Sequence, residues 1–182
     1  FCNGKIYDVD KNVIHIHNLK INAAKKIVKE LDGSPLLIGY EYKHDLQALL
    51  KAFPDAPFFG TTLKGKKPNK EEKLRIEKMW NRGKIPVLIG QISSVARGLN
   101  LQESGHNLMF YGHIDKLSDV IQFIGRIRRS GQKKVVTIHR LIVKDSVDED
   151  VLESNKVKKK TQKFFLDAMR KRISKRKKGK RK

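Results

Sequence analysis

One cysteine, Cys2, stands among 182 residues, so neither an internal disulfide nor a cysteine-based zinc site can be built. A reducing, intracellular setting is the expectation: cytoplasmic in a bacterial or phage host, nuclear in a eukaryote. No run approaches the ~18 apolar residues of a membrane span. The start, Phe1-Cys2-Asn3-Gly4, lacks the basic and apolar regions of a secretory signal. It also lacks an initiator methionine, which leads us to expect a piece of a longer protein. No repeat at a solenoid period is present. Acidic residues are scarce, 19 against 41 Lys and Arg, giving a formal net charge of +22.

That imbalance is localised. Residues 1–155 hold 26 basic and 18 acidic residues, whereas 156–182 hold 15 basic and only Asp167. The expected division is a domain over 1–155, long enough for its own core, and a basic helical or disordered tail over 156–182. A self-repelling tail invites a polyanion, and nucleic acid releases counterions when its phosphates are neutralised. A solubilising tail or an import signal is the alternative. Phe165, Leu166, Met169 and Ile173 recur at helical spacing and are expected to dock on the body.

Along the body, two β-prone runs, Gly4–Asp8 and Val13–His17, flank a short turn and read as a hairpin. His15 and His17 share one strand face, but two histidines without a third ligand make a weak metal site. Ala24, Ile27, Val28 and Leu31 form a helical stripe ending near Gly33, and Leu46, Leu49, Leu50 and Phe53 form another. Pro35–Tyr40, Phe58-Phe59, Pro86–Gly90, Asn107–Tyr111 and Val135–Val143 are strand candidates. Between them, Leu74, Met79 and Trp80 mark a helix over about 69–82, and Leu117, Val120, Ile121 and Ile124 mark one more. Ser146 and Glu149 resemble a capping box opening a C-terminal helix. Apolar strands alternating with helices predict an α/β fold with a parallel sheet covered on both faces.

Such a fold invites a search for a phosphate-binding loop. Gly60-Thr61-Thr62-Leu63-Lys64-Gly65-Lys66 fits GxxxxGK, yet Lys67 follows where a Ser or Thr must hold magnesium. Pro68 then opens a helix. The lysines of that loop suit nucleic-acid phosphates better. No acidic pair follows a strand, and Asp148-Glu149-Asp150 sits where acidic residues favour a helix start. The chain by itself is not expected to hydrolyse a nucleotide.

The chemistry concentrates in residues 117–132, LSDVIQFIGRIRRSGQ. If the helix continued, Gln122, Arg126 and Arg129 would share the face opposite the apolar one. Arginine is planar and permanently charged, suited to a phosphoryl transition state. The run Gln122-Phe-Ile-Gly125-Arg126-Ile-Arg-Arg129-Ser-Gly131-Gln132 resembles QxxGRxxRxGQ, the last motif of superfamily-two helicases and translocases, and its Gly-Gln ending looks most like the Swi/Snf-type ATPases. Upstream, Ser93-Ser94-Val95-Ala96-Arg97-Gly98-Leu99-Asn100-Leu101 resembles the fifth motif, departing from it at Ser93 and at Ala96-Arg97. Its bland reading is a Ser/Gly turn after a strand.

The resemblance implies a second RecA-like lobe, with motifs over about 34–153. The hairpin and first helix look similar to the start of the lobe in phage-encoded members. By this resemblance Arg126 and Arg129 would be catalytic, reaching ATP phosphates across a cleft, with Arg129 closer to the arginine finger. Gly98, Asn100 and Gln122 would face the nucleotide. Gly60, Thr61, Thr62, Ser93 and Ser94 would touch the nucleic-acid backbone, for which double-stranded DNA is preferred. ATP and Mg2+ would be held mainly by an upstream RecA-like lobe of the same protein. The alternative is a non-enzymatic nucleic-acid-binding module on the same scaffold.

Overall fold

The computed structural model describes residues 2–10, 12–60, 69–96 and 98–179, with side chains as far as Arg170 except those of Tyr7 and Ala168. Strands β1 (Lys5–Tyr7) and β2 (Val13–His15) form the expected antiparallel hairpin, Lys5 opposite His15. The body alternates α1 (Leu19–Glu30), β3 (Leu36–Tyr40), α2 (Lys43–Ala52), β4 (Phe58–Phe59), α3 (Lys70–Asn81), β5 (Val87–Gln91), α4 (Ile92–Val95), β6 (Asn107–Phe110), α5 (Leu117–Ile124), β7 (Thr137–Arg140) and α6 (Val147–Gly179). The five body strands are parallel in the order β4-β5-β3-β6-β7. The expected α/β architecture is observed.

Every residue of central β3 is buried, because helices cover both sides. Strand residues alternate between two cores. Leu36, Ile38, Ile89 and Met109 face α1 and α2, meeting Ala24, Leu46 and Leu49. Leu37, Leu88, Leu108 and Phe110 face α3, α4 and α5, meeting Trp80, Ile92 and Phe123. On this second side Gly39 and Gly90 are paired across β3 and β5. A Cβ on Gly39 would meet the Phe123 ring at 2.7 Å and Ile92 at 3.0 Å, and one on Gly90 would meet Val95 at 2.3 Å. The two glycines therefore form a hollow into which α4 and α5 sink.

At the C-terminal edge of the sheet a buried polar network closes the other side. Lys20 pairs with Asp148 at 2.6 Å and donates to Asn3 Oδ1 at 2.8 Å. The Asn3 amide donates to both Asp45 oxygens at 3.0 Å. Asp45 also accepts from the Tyr42 N–H at 3.0 Å and Asp148 from the Val143 N–H at 3.0 Å. The segment entering the hairpin, α1, α2 and α6 are thus joined by a chain of satisfied polar groups, added to the apolar packing of α1 and α2.

Several expectations need correction. Leu74 is exposed; Ile76 and Trp80 are the residues that α3 buries. Its cap is Asn69, whose side chain accepts from Glu72 N–H at 2.7 Å, while Pro68 lies outside the described residues. Ile121 is exposed, and Val120, Phe123 and Ile127 take the core positions instead. Glu149 accepts from Asp145 N–H and Ser146 Oγ from Asp148 N–H, so the box is displaced by one residue on its acidic side. The segment after β5 is a short helix, α4, not a turn. Phe165, Leu166 and Met169 do not dock on the body: Phe165 is 62% exposed and Met169 59%.

The glycine hollow yields a stability prediction. Gly39→Ala or Gly90→Ala should cost about 1–3 kcal/mol by overpacking against Phe123 or Val95. Urea unfolding should show a lower midpoint at unchanged slope; an unaltered midpoint would mean that the helices do not press on the sheet.

Candidate nucleotide-phosphate and nucleic-acid site

Gly60, Ser93 and Ser94 lie at the C-terminal edge of the sheet, where ligands gather in open α/β folds, and the loop after α4 runs from there along the helix-covered face. Three segments meet there: the loop after α4, the turns after α5, and the end of α3. Helix α5 stops at Ile124, short of both arginines, which corrects the single-helix picture of Gln122, Arg126 and Arg129. From Arg126 the backbone shifts to three-residue steps, Arg126 N–H to Phe123 O and Ile127 N–H to Ile124 O, both 3.1 Å. Two forces turn the chain. Gly125 weakens the helix, and Ile127 is pulled fully into the core. The Arg126 carbonyl is then free to accept from Leu101 N–H at 3.1 Å.

The two arginines consequently differ. Arg126 turns inward and donates to two backbone carbonyls, Leu99 O at 3.1 Å and Ala96 O. Burial, and then neighbouring Arg129, lowers its pKa from the ordinary guanidinium value. Its Nε is buried without a hydrogen-bond partner among the described residues. Arg129 is exposed and donates to Asn100 Oδ1. Arg126 is therefore a strut that shapes the loop, and Arg129 is the cation facing outward.

The loop is held equally firmly from α3. Asn100 N–H donates to Glu77 at 3.0 Å, and its carbonyl accepts from Asn81 at 2.8 Å. Trp80 Nε1 donates to Leu101 O at 2.9 Å. Gln132 donates to Gln102 O at 2.9 Å and Gly105 O at 2.7 Å, closing the far end. Within this frame Gly98 takes φ +85°, a left-handed conformation that a Cβ disfavours, and it faces open space.

A cavity of about 610 Å³ opens beside the loop, lined by Gly60, Lys70, Lys73, Ser93, Ser94 and Gly98 among others. The structure thus brings four sequence-predicted residues together, Gly60, Ser93, Ser94 and Gly98. Ser94 Oγ donates to Gln91 Oε1 at 3.1 Å. Thr61, Thr62 and Arg97 lie outside the described residues. Gln122 is exposed on α5, apart from the arginine-to-loop contacts.

Sequence reasoning missed Lys70 and Lys73, whose i, i+3 spacing puts both on one face of α3, as well as Glu77, Asn81 and Gln132. For the lysines that spacing was a usable signal, as was the place of Gln132 at the end of its motif. Nothing local marks Glu77 or Asn81 as partners of a loop some 20 residues away. Among the described residues, no group of three or more His, Cys, Asp or Glu could hold a metal, and no helix is long and apolar enough to cross a membrane.

Residues 19–131 match the helicase conserved C-terminal domain family. The chain belongs to that family. It is 39% identical over 175 residues to "Putative protein p41" of Acyrthosiphon pisum secondary endosymbiont phage 1, covering 93% of this chain and 36% of that protein. It is also similar to the crystal structure of the C-terminal part of the Fun30 ATPase domain, with a TM-score of 0.63 and 25% identity. That match covers 75% of this chain and 44% of the other. The chain spans about a third of the phage relative's length and is a C-terminal lobe of the Snf2-like helicase and ATPase fold.

The division of labour between the arginines predicts separable stability effects. Arg126→Ala leaves the Ala96 and Leu99 carbonyls without a donor and should cost about 1–3 kcal/mol. Arg129→Ala, at an exposed position, should stay within about 0.5 kcal/mol. Chemical unfolding of the two variants checks this; equal losses would refute the strut.

Proposed function

We propose that this chain is the second motor lobe of an ATP-dependent nucleic-acid translocase, working with an upstream RecA-like lobe of the same protein. One observation carries the reading: an exposed guanidinium, Arg129, stands on a frame that Arg126 fixes to the loop bearing Gly98 and Asn100. The residues here suit outer phosphate contacts, since they offer cations and left-handed backbone. Among the described residues there is neither a phosphate-cradling loop nor an acidic cluster for magnesium, and those tasks would fall to the other lobe. ATP with Mg2+ would supply the transferable phosphoryl group.

When the lobes close, Arg129 leaves Asn100 and neutralises charge developing on the phosphoryl oxygens. Asn100, released, offers its amide to the nucleotide. Arg126 acts as a positioning residue, keeping the Ala96–Asn100 backbone in place throughout. Gln122 contributes from the exposed side of α5. Gly60, Ser93 and Ser94, with Thr61 and Thr62, grip a nucleic-acid backbone, and Lys70 and Lys73 add charge to the same cavity. Closure that couples the two sites is a gating step. Duplex DNA is the proposed track, supported by the Snf2-like fold and the Gly-Gln ending at 131–132.

The test is ATP hydrolysis by the full-length protein, wild type against Arg129→Ala, with and without duplex DNA. The expected result is DNA-stimulated hydrolysis in the wild type and a loss on the order of 10³–10⁵ in the variant. Hydrolysis retained within about threefold, well below the contribution of an arginine finger, would overturn the assignment.

A further inference from the structure

Helix α6 runs 33 residues, about 50 Å at the usual rise, far beyond what the body supports. Its polar contacts with the body lie near its start. Asp148 meets Lys20, Ser154 donates to Asp115 at 2.7 Å, and Asn155 donates to Ile114 O at 2.8 Å. Lys158 Nζ donates to Asp115 O at 2.9 Å. Past Lys158, the polar contacts among the described residues are local to the helix, such as Thr161 to Val157 O and Arg170 to Asp167. The family match ends at residue 131, before β7 and α6.

The extension carries a charge problem. At 100° per residue, Lys159, Lys160, Lys163 and Arg170 fall on one arc of the helix, which also carries Asp167, paired with Arg170 at 3.8 Å. Lys159 and Lys163 are an i, i+4 like-charge pair, and Lys160 and Lys163 an i, i+3 pair, both mutually destabilising. From Lys156 onward the sequence supplies one acidic residue, Asp167, against 15 basic ones. Position adds a second constraint. Ile114 and Asp115 follow β6, at the C-terminal edge of the sheet. That is the edge on which Ser93, Ser94 and Gly60 follow β5 and β4. The helix therefore leaves the body from the same edge of the sheet as the candidate backbone contacts.

We propose that the cationic arc of α6, Lys159, Lys160, Lys163 and Arg170, is a second contact for the phosphate backbone held at that edge. This rests on the nucleic-acid reading of the lobe. The extension would lengthen the gripped tract, and phosphates would relieve the repulsion along the arc. Phe165 and Met169 lie on the other side of the helix, and Phe164, 72% exposed, flanks Lys160.

The experiment compares the 182-residue chain with a variant combining Lys159→Gln, Lys160→Gln, Lys163→Gln and Arg170→Gln, by fluorescence anisotropy on a short mixed-sequence duplex DNA across a salt series. Circular dichroism confirms that the variant keeps its helix. Each lost phosphate contact should flatten the slope of log K against log salt by about 0.9, so four contacts should remove about 3–4 units. A second variant, Phe164→Ser with Phe165→Ser, should keep the wild-type slope. An unchanged slope in the charge variant, with binding retained, overturns the α6 assignment and leaves the lobe's own contacts standing. Absence of duplex binding by the wild-type chain overturns both. Binding to phosphatidylserine vesicles, with the duplex slope unchanged, would assign the arc to a lipid surface instead.

Discussion

The close approach of α4 and α5 to the sheet, over the paired Gly39 and Gly90, is the constraint on which the candidate site depends. With Cβ atoms at those two positions, Ile92, Val95 and Phe123 would have to back away by a substantial fraction of an ångström or more. Both helices lead directly into site segments: the loop 96–101 follows α4 and the arginine turns follow α5. Only because the helices share the hollow can Arg126 reach Ala96 O and Leu99 O. Packing geometry in the core is thereby converted into the placement of a surface cation.

The second organising feature is how polar groups are used. Arg126, Glu77, Asn81, Trp80 and Gln132 all spend their hydrogen bonds on backbone groups of one loop, residues 96–105. A loop satisfied by so many side chains has little freedom of its own, so it can transmit a shift of the arginine turns to the Ser93-Ser94 segment as a nearly rigid unit. On the other face of the sheet, Lys20 joins the segment entering the lobe, through Asn3, to the helix leaving it, through Asp148. Two distant stretches of chain are thus tied at the same edge as the site.

Much of this was legible in the sequence, for physical reasons that differ by element. Continuous apolar runs such as Leu36–Tyr40 announce strands buried on both faces, and the parallel order of the sheet followed from their alternation with helices. The arginine motif was legible through its fixed spacing. What spacing could not convey was that Ile127 is more valuable in the core than in a continued helix. That burial ends α5 early and gives Arg126 and Arg129 opposite orientations. The apolar residues of α6 misled in the other direction: Phe165 and Met169 have helical spacing, but both stay exposed. Periodicity reports a face and says nothing of what covers it.

The central claim is that Arg129 is the mobile cation and Arg126 the fixed strut. A crystal structure of the full-length protein bound to a non-hydrolysable ATP analogue tests it most directly. The account predicts Arg129 released from Asn100 and hydrogen-bonded to a terminal phosphate oxygen, with Arg126 still on Ala96 O and Leu99 O. Arg126 on the phosphate, or Arg129 still held by Asn100 in a closed lobe pair, would contradict it.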